Sequence, residues 1–199
     1  MRMPLQIHCL EDQPQLSRQY ELLRRLQSAL SQDDRCLGAA VGGSLAETRG
    51  DRLSDVDLLV YCETGAAREL LQKLSEVAAD KPVVHRLNGQ HDASSVYEKV
   101  ILDDWSSYEL HVVEPSTRMR LAPPYLEVID RGNYLASRVD TQKQIGRSTV
   151  KPLSSGEAGL MWELFNCMKW LRRGELDVAT QYLQSLGNAL ADRASSSEA

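Results

Sequence analysis

No stretch of the 199-residue chain approaches the ~20 consecutive apolar residues that a membrane-spanning helix needs. The N-terminus lacks the charged-then-apolar layout of a secretory signal, so a cytoplasmic protein is the expectation. Basic charge is not in excess either. A net charge of −5 and a pI near 5.4 argue against gripping a nucleic-acid backbone. They leave room for a single nucleotide, whose charge a metal ion can neutralise. The four cysteines (Cys9, Cys36, Cys62, Cys167) form no CxxC pair and have no histidine at zinc-ligand spacing. Reduced thiols are expected, with those in apolar runs behaving as small hydrophobes. Internal repeats and low-complexity segments are missing. The composition, 42% hydrophobic and 26% charged, is that of a globular chain with a real core.

Periodicity divides the chain into elements. Leu16, Tyr20, Leu23, Leu26 and Leu30 recur at helical spacing and predict an amphipathic helix starting near Pro14. Residues 36–41 read as a short buried strand ended by Gly42-Gly43, and residues 56–61 as the next strand. In that second strand Val56, Leu58 and Val60 point one way, while Asp55 and Asp57 point the other. One face should pack on helices and the other should open into a cleft. Leu70, Leu71, Leu74, Val77 and Ala78 mark a helix. Residues 82–87 follow as an edge strand, 89–95 as a polar loop, and 96–102 and 108–113 as two further strands. Tyr108, Leu110 and Val112 oppose Glu109 and His111, which repeats the pattern of acids behind an apolar face. Residues 125–129 can add a strand after Pro123-Pro124. Ser154-x-x-Glu157 resembles a capping box that opens a helix with an apolar stripe of Leu160, Met161, Leu164, Phe165, Met168 and Leu171. A second helix follows through Leu176, Ala179, Leu183, Leu186 and Leu190. The predicted fold is α/β, a small mixed β-sheet with helices on one face plus a C-terminal helical hairpin. The predicted domains are residues 1–122 and a mainly helical 123–199.

Two stretches carry chemistry. Gly42 and Gly43 leave the backbone uncovered, so that amide N–H groups can approach a phosphate, and Ser44 adds a hydroxyl. Asp55 and Asp57 stand a pleat apart on one strand face, where they repel unless a cation lies between them. Mg²⁺ is commonly held by one or two carboxylates together with substrate phosphates. A third acid on a neighbouring strand, Glu109, would allow a second metal or activation of an attacking group. Taken alone, the glycines are an ordinary tight turn and the aspartates an ordinary solvated strand face. Glu109 has His111 and Glu114 as rivals. His8, His85, His91 and His111 show no ligand spacing, although His111 shares the face of Glu109 and can orient it. Lys169, Arg172 and Arg173 close a helix whose dipole favours cations. If its face looks into the cleft, Lys169 meets a triphosphate and Glu163 an acceptor. Trp162 and Trp170 read as core.

Val41-Gly42-Gly43-Ser44, followed after a spacer by Asp55-Val56-Asp57-Leu58, resembles the signature of the DNA polymerase beta-like nucleotidyltransferase superfamily. Tyr108-Glu109-Leu110-His111-Val112-Val113 resembles its later strand with the third acid. The helical hairpin, through Trp170 to Leu176, is loosely similar to the small helical domain of aminoglycoside and lincosamide nucleotidyltransferases. The resemblance implies Asp55, Asp57 and Glu109 as catalytic metal ligands and Gly42, Gly43 and Ser44 as triphosphate binders. It implies one or two Mg²⁺ ions and a nucleoside triphosphate donor, ATP first, whose nucleoside monophosphate moves to a hydroxyl of a small-molecule acceptor. Antibiotics are among the candidate acceptors. Two alternatives stay open: a protein-adenylylating toxin–antitoxin component, and a catalytically silent nucleotide-binding module. A short helical appendage is a poor enclosure for a substrate, so a homodimer is expected, with no nucleic-acid or membrane partner.

Overall fold

The computed structural model describes residues 5–142 and 152–197. In chain order the elements are β1 (Leu5–Gln6), α1 (Ser17–Ser31), β2 (Cys36–Val41), α2 (Gly43–Ala46), β3 (Val56–Cys62) and α3 (Ala67–Ala78). There follow β4 (Val83–Asp92), β5 (Ser95–Leu102), β6 (Ser107–Val113), β7 (Leu126–Asp130), α4 (Leu160–Arg172) and α5 (Leu176–Ser197). One mixed seven-stranded sheet runs in the order β1-β7-β2-β3-β6-β5-β4. β3 and β6 are parallel at its centre, and β2 and β5 flank them antiparallel. The architecture is the α/β mixed sheet with a helical hairpin that the periodicity predicts. No helix among the described residues is long and apolar enough to cross a membrane.

The alternation of β3 decides how the layers form. Val56, Leu58 and Val60 are essentially inaccessible and pack with Leu23, Leu26 and Leu30 of α1 and Leu70 and Leu74 of α3. Burying such side chains stabilises by about 1.5–3 kcal/mol each, an upper estimate because the unfolded chain already hides part of their surface. Part of the opposite face is covered as well. There Ala40, Tyr61 and Val113 meet Leu121 and Leu135 from the segment that follows β6.

That segment is held down by one buried cation. Arg138 donates to the carbonyls of Pro115 (3.1 Å), Thr117 (3.1 Å) and Met119 (3.3 Å). Its guanidinium also lies 5.0 Å over the Tyr61 ring. Three of the four cysteines are buried, no disulfide forms, and burial pushes the Cys62 thiol up to about 12.

Three expectations are corrected. Residues 89–92 are not a loop: β4 runs on to Asp92 and turns tightly into β5, because Asp92 accepts from the Ser94 amide and from the Ser94 and Ser95 hydroxyls. The boundary at 122/123 is displaced, because β7 pairs inside the sheet between β1 and β2. The two compact units are Met1–Gly146 and Arg147–Ala199. The helix expected from Ser154 begins at Leu160, after a short 3₁₀ turn at Glu157–Gly159, with no side-chain cap at its start.

In the second unit α4 and α5 form an antiparallel pair. Glu163 accepts from the Tyr182 hydroxyl at 2.6 Å and from the Leu153 amide at 3.0 Å. Cys167, Ala179, Tyr182 and Leu186 pack between the helices. Much of the apolar periodicity of these helices is exposed, at Met161, Leu164, Leu171, Leu176, Leu183 and Leu190.

Arg138→Met should lower stability by about 2–4 kcal/mol, because three carbonyls lose a charged donor at once. A shift of the urea midpoint with unchanged slope checks it.

Candidate functional site

The turn after β2 is fixed by its contact with β3. The Gly42 amide donates to the Asp57 carbonyl at 3.0 Å. Gly43 sits at φ +64°, and a Cβ there would lie 2.6 Å from Asp57 Oδ2. Position 43 therefore needs glycine twice over, for its left-handed backbone and for the carboxylate that occupies side-chain space. A Cβ on Gly42 would meet nothing within 4 Å. The helix that opens here is a single turn, so it offers local amide groups and little macrodipole.

Ser44 is held in a hydrogen-bond network with the linker. Its hydroxyl donates to Ser54 Oγ at 2.9 Å, and Ser54 Oγ donates to Asp51 Oδ1 while accepting from the Asp51 amide. Gln19 of α1 donates to the Ser54 carbonyl at 2.8 Å. This network pins the linker to α1 and delivers Asp55 to the edge of β3, one residue before the strand begins. Asp55 and Asp57 are both partly buried.

Across the parallel β3–β6 pair Asp57 is level with Glu109, and across the antiparallel β6–β5 pair Glu109 is level with Lys99. Alternation puts all three on the face away from α1 and α3. Lys99 Nζ lies 2.6 Å from Glu109 Oε2, and His111 Nε2 lies 3.3 Å from the same oxygen. Burial pushes the Glu109 carboxyl up, but the imidazole and ammonium beside it outweigh burial and hold it below the usual range. It is a carboxylate at neutral pH. His111 Nδ1 in turn lies 3.0 Å from His91 Nε2, with the rings 21° from parallel. A proton on His111 Nε2 lets that ring donate to Glu109 and accept from His91. Burial, followed by His111 and Lys99, lowers the pKa of His91 and favours its neutral form.

The donor set suits a hard divalent cation in part. Asp55 and Asp57 offer carboxylate oxygens on one face, the chemistry Mg²⁺ takes together with phosphates. Glu109 is drawn to Lys99 instead. Among the described residues no group of three or more His, Cys, Asp or Glu stands in metal-holding geometry. The three-acid ligand set expected from the sequence is thus not assembled as such.

Glu114 lies beyond the end of β6, where its amide donates to the Ser94 carbonyl. Lys169 belongs to the second unit and is 2% exposed, its Nζ 4.4 Å from the Phe165 ring centroid and 5.5 Å from that of Trp162. A phosphate contact would require it to give up that aromatic seat. Glu163, the candidate acceptor contact, is committed to Tyr182 and Leu153. Sequence reasoning missed Lys99, whose signal was its register opposite Glu109 in the β5–β6 hairpin. It also missed the contact of His91 with His111, because residues 89–95 read as a loop.

No family model matches the sequence, and no curated protein matches it. Among solved structures, the chain is similar to Cid1 in complex with the UTP analog UMPNPP, with a TM-score of 0.37 and 14% identity over 53% of this chain and 32% of that one. Cid1 in complex with its short product ApU gives a TM-score of 0.36 with the same identity and coverage. The chain therefore spans about a third of the length of that protein.

Gly43→Ala should destabilise by about 1–3 kcal/mol through backbone strain and the displaced Asp57 carboxylate, whereas Gly42→Ala should be close to neutral. Paired urea titrations of the two variants read the difference directly.

Proposed function

We propose that the chain is a divalent-cation-dependent nucleotidyltransferase that moves a nucleoside monophosphate, AMP from ATP in the first instance, to the hydroxyl of a small-molecule acceptor. The observation that carries this reading is the turn at Gly42-Gly43 closing directly on Asp57, with Asp57 level with Glu109. A bare-backbone turn and adjacent carboxylates on one face are what a metal-bound triphosphate requires. The first unit would supply the catalytic part.

In this reading Asp55 and Asp57 would hold Mg²⁺, which would neutralise charge on the triphosphate. The amides of Gly42 and Gly43 approach the phosphates where no side chain intervenes. Ser44 joins them by turning its hydroxyl from Ser54. Glu109, kept as a carboxylate by Lys99 and His111, orients the acceptor hydroxyl and takes its proton. The acceptor oxygen forms its bond to the α-phosphorus as the bridging bond to the β-phosphate breaks, and pyrophosphate leaves. Catalysis of this kind is mainly positioning and charge neutralisation. Lys99, in the same row, is a source of positive charge for this face.

The ion pair of Lys99 with Glu109 favours one second reading, a nucleotide-binding module that has lost turnover. Asp57→Asn separates the two. Transfer from labelled ATP should fall at least about 100-fold with the melting temperature retained if the site is catalytic. A function indifferent to Asp57→Asn supports the silent module. Calorimetry with ATP and Mg²⁺ should give binding that weakens sharply when Mg²⁺ is withheld, and no binding in either condition removes both readings.

A further inference from the structure

The helical hairpin leaves apolar surface uncovered on one side. Of the nine exposed large apolar side chains among the described residues, six lie in this unit: Met161, Leu164, Leu171, Leu176, Leu183 and Leu190, at 39–61% exposure. At 100° per residue, Met161, Leu164 and Leu171 form a stripe roughly a quarter turn from the α4 surface that meets α5 through Glu163, Cys167 and Trp170. Leu176, Leu183 and Leu190 form a stripe a quarter turn from the α5 surface that meets α4 through Ala179, Tyr182 and Leu186. Both offsets have the same rotational sense, and the helices are antiparallel. The two stripes therefore lie on the same side of the hairpin and make one continuous surface.

Three features say what covers it. The α5 leucines recur every seven residues, the spacing of a helix-to-helix seam. Small residues alternate with them on the same stripe, Thr180 and Gly187, and a Cβ on Gly187 would meet nothing within 4 Å. From Val178 to Ala191 the helix carries no charged residue, although most of that stretch is exposed. Depletion of charge with retained apolar side chains marks the centre of an interface and not a solvated helix face. The seam is also symmetric about its middle leucine. Two copies running antiparallel would set Leu183 against Leu183 and Leu176 against Leu190, so that no leucine of the seam lacks a counterpart. Such self-complementarity is what a two-fold pair demands.

We propose that the protein pairs with a second copy of itself through this face, with α4 and α5 of both copies forming an antiparallel four-helix assembly about a two-fold axis near Leu183. This pairing is independent of the catalytic reading. The face measures about 20 Å along each helix and two helices across, so a pair buries on the order of 1,000 Å² in total. That is at the threshold for a specific interface and implies a dimer that dissociates on dilution.

The test is sedimentation of the full chain over about 1–200 μM. The unsubstituted protein should move from the 22.3 kDa chain mass toward twice that value. Leu183→Arg should remain monomeric throughout, with the helical circular dichroism of the parent. A parent that is monomeric at the highest concentration overturns the proposal and leaves the face to a different partner. So does a Leu183→Arg protein that dimerises like the parent. Leu183→Cys adds a check that does not depend on affinity. On mild oxidation it should give a disulfide-linked dimer well above the background from the exposed Cys9 of the parent, and no excess over that background counts against a seam at Leu183.

Discussion

Like charge on one face of the central strands is the constraint around which the first unit is built. β3 and β6 pair in parallel, so Asp57 and Glu109 stand level on neighbouring strands whose backbones are about 5 Å apart, with Asp55 a pleat away. Like charges on one face repel. A marginally stable domain does not keep that arrangement without something to offset it. For Glu109 the offset is visible in Lys99 and His111, both on the same oxygen. Asp57 is met by the Gly43 backbone, at a distance that excludes any side chain there. The helices on the far face, the Arg138 clamp and the Ser44–Ser54–Asp51 network all hold β2, β3 and β6 in the register that creates the crowding.

The same face divides its labour along the strands. Toward the ends of β3 and β6 it is apolar and covered, with Tyr61 and Val113 under the segment fastened by Arg138. Toward their starts it is acidic, with Asp55, Asp57 and Glu109. At the acidic end the turn amides, the carboxylates and the Lys99 ammonium share one face of the sheet. The second unit follows a different logic. Glu163 and Tyr182 are hydrogen-bonded between its helices beside the buried Leu186, while Leu176, Leu183 and Leu190 are exposed.

Period-two alternation made the sheet legible, because a strand with valines and leucines on one side and acids on the other has only one way to face its helices. The turn was legible for a different reason, since a Gly-Gly pair after an apolar strand marks a tight turn. Register was harder to read. Lys99 opposite Glu109 depends on how the β5–β6 hairpin is aligned, and β4 extending to Asp92 depends on hydroxyls of Ser94 and Ser95 closing a turn within a polar run. The Ser44 contact was not legible, because a hydroxyl near a glycine turn has two uses and Ser54 holds it here. In the hairpin a helical stripe was visible, but periodicity gives an apolar face without saying whether the same chain or another one covers it.

The central claim is that Asp55 and Asp57, beside the bare backbone of Gly43, form a seat for a divalent cation and a triphosphate. Crystals grown with Mn²⁺ and a non-hydrolysable ATP analogue test it most directly. An anomalous peak about 2 Å from oxygens of both aspartates, with phosphates against the Gly42-Gly43 amides, is the predicted result. A triphosphate bound elsewhere, or Mn²⁺ absent from the two carboxylates while nucleotide is present, would contradict it.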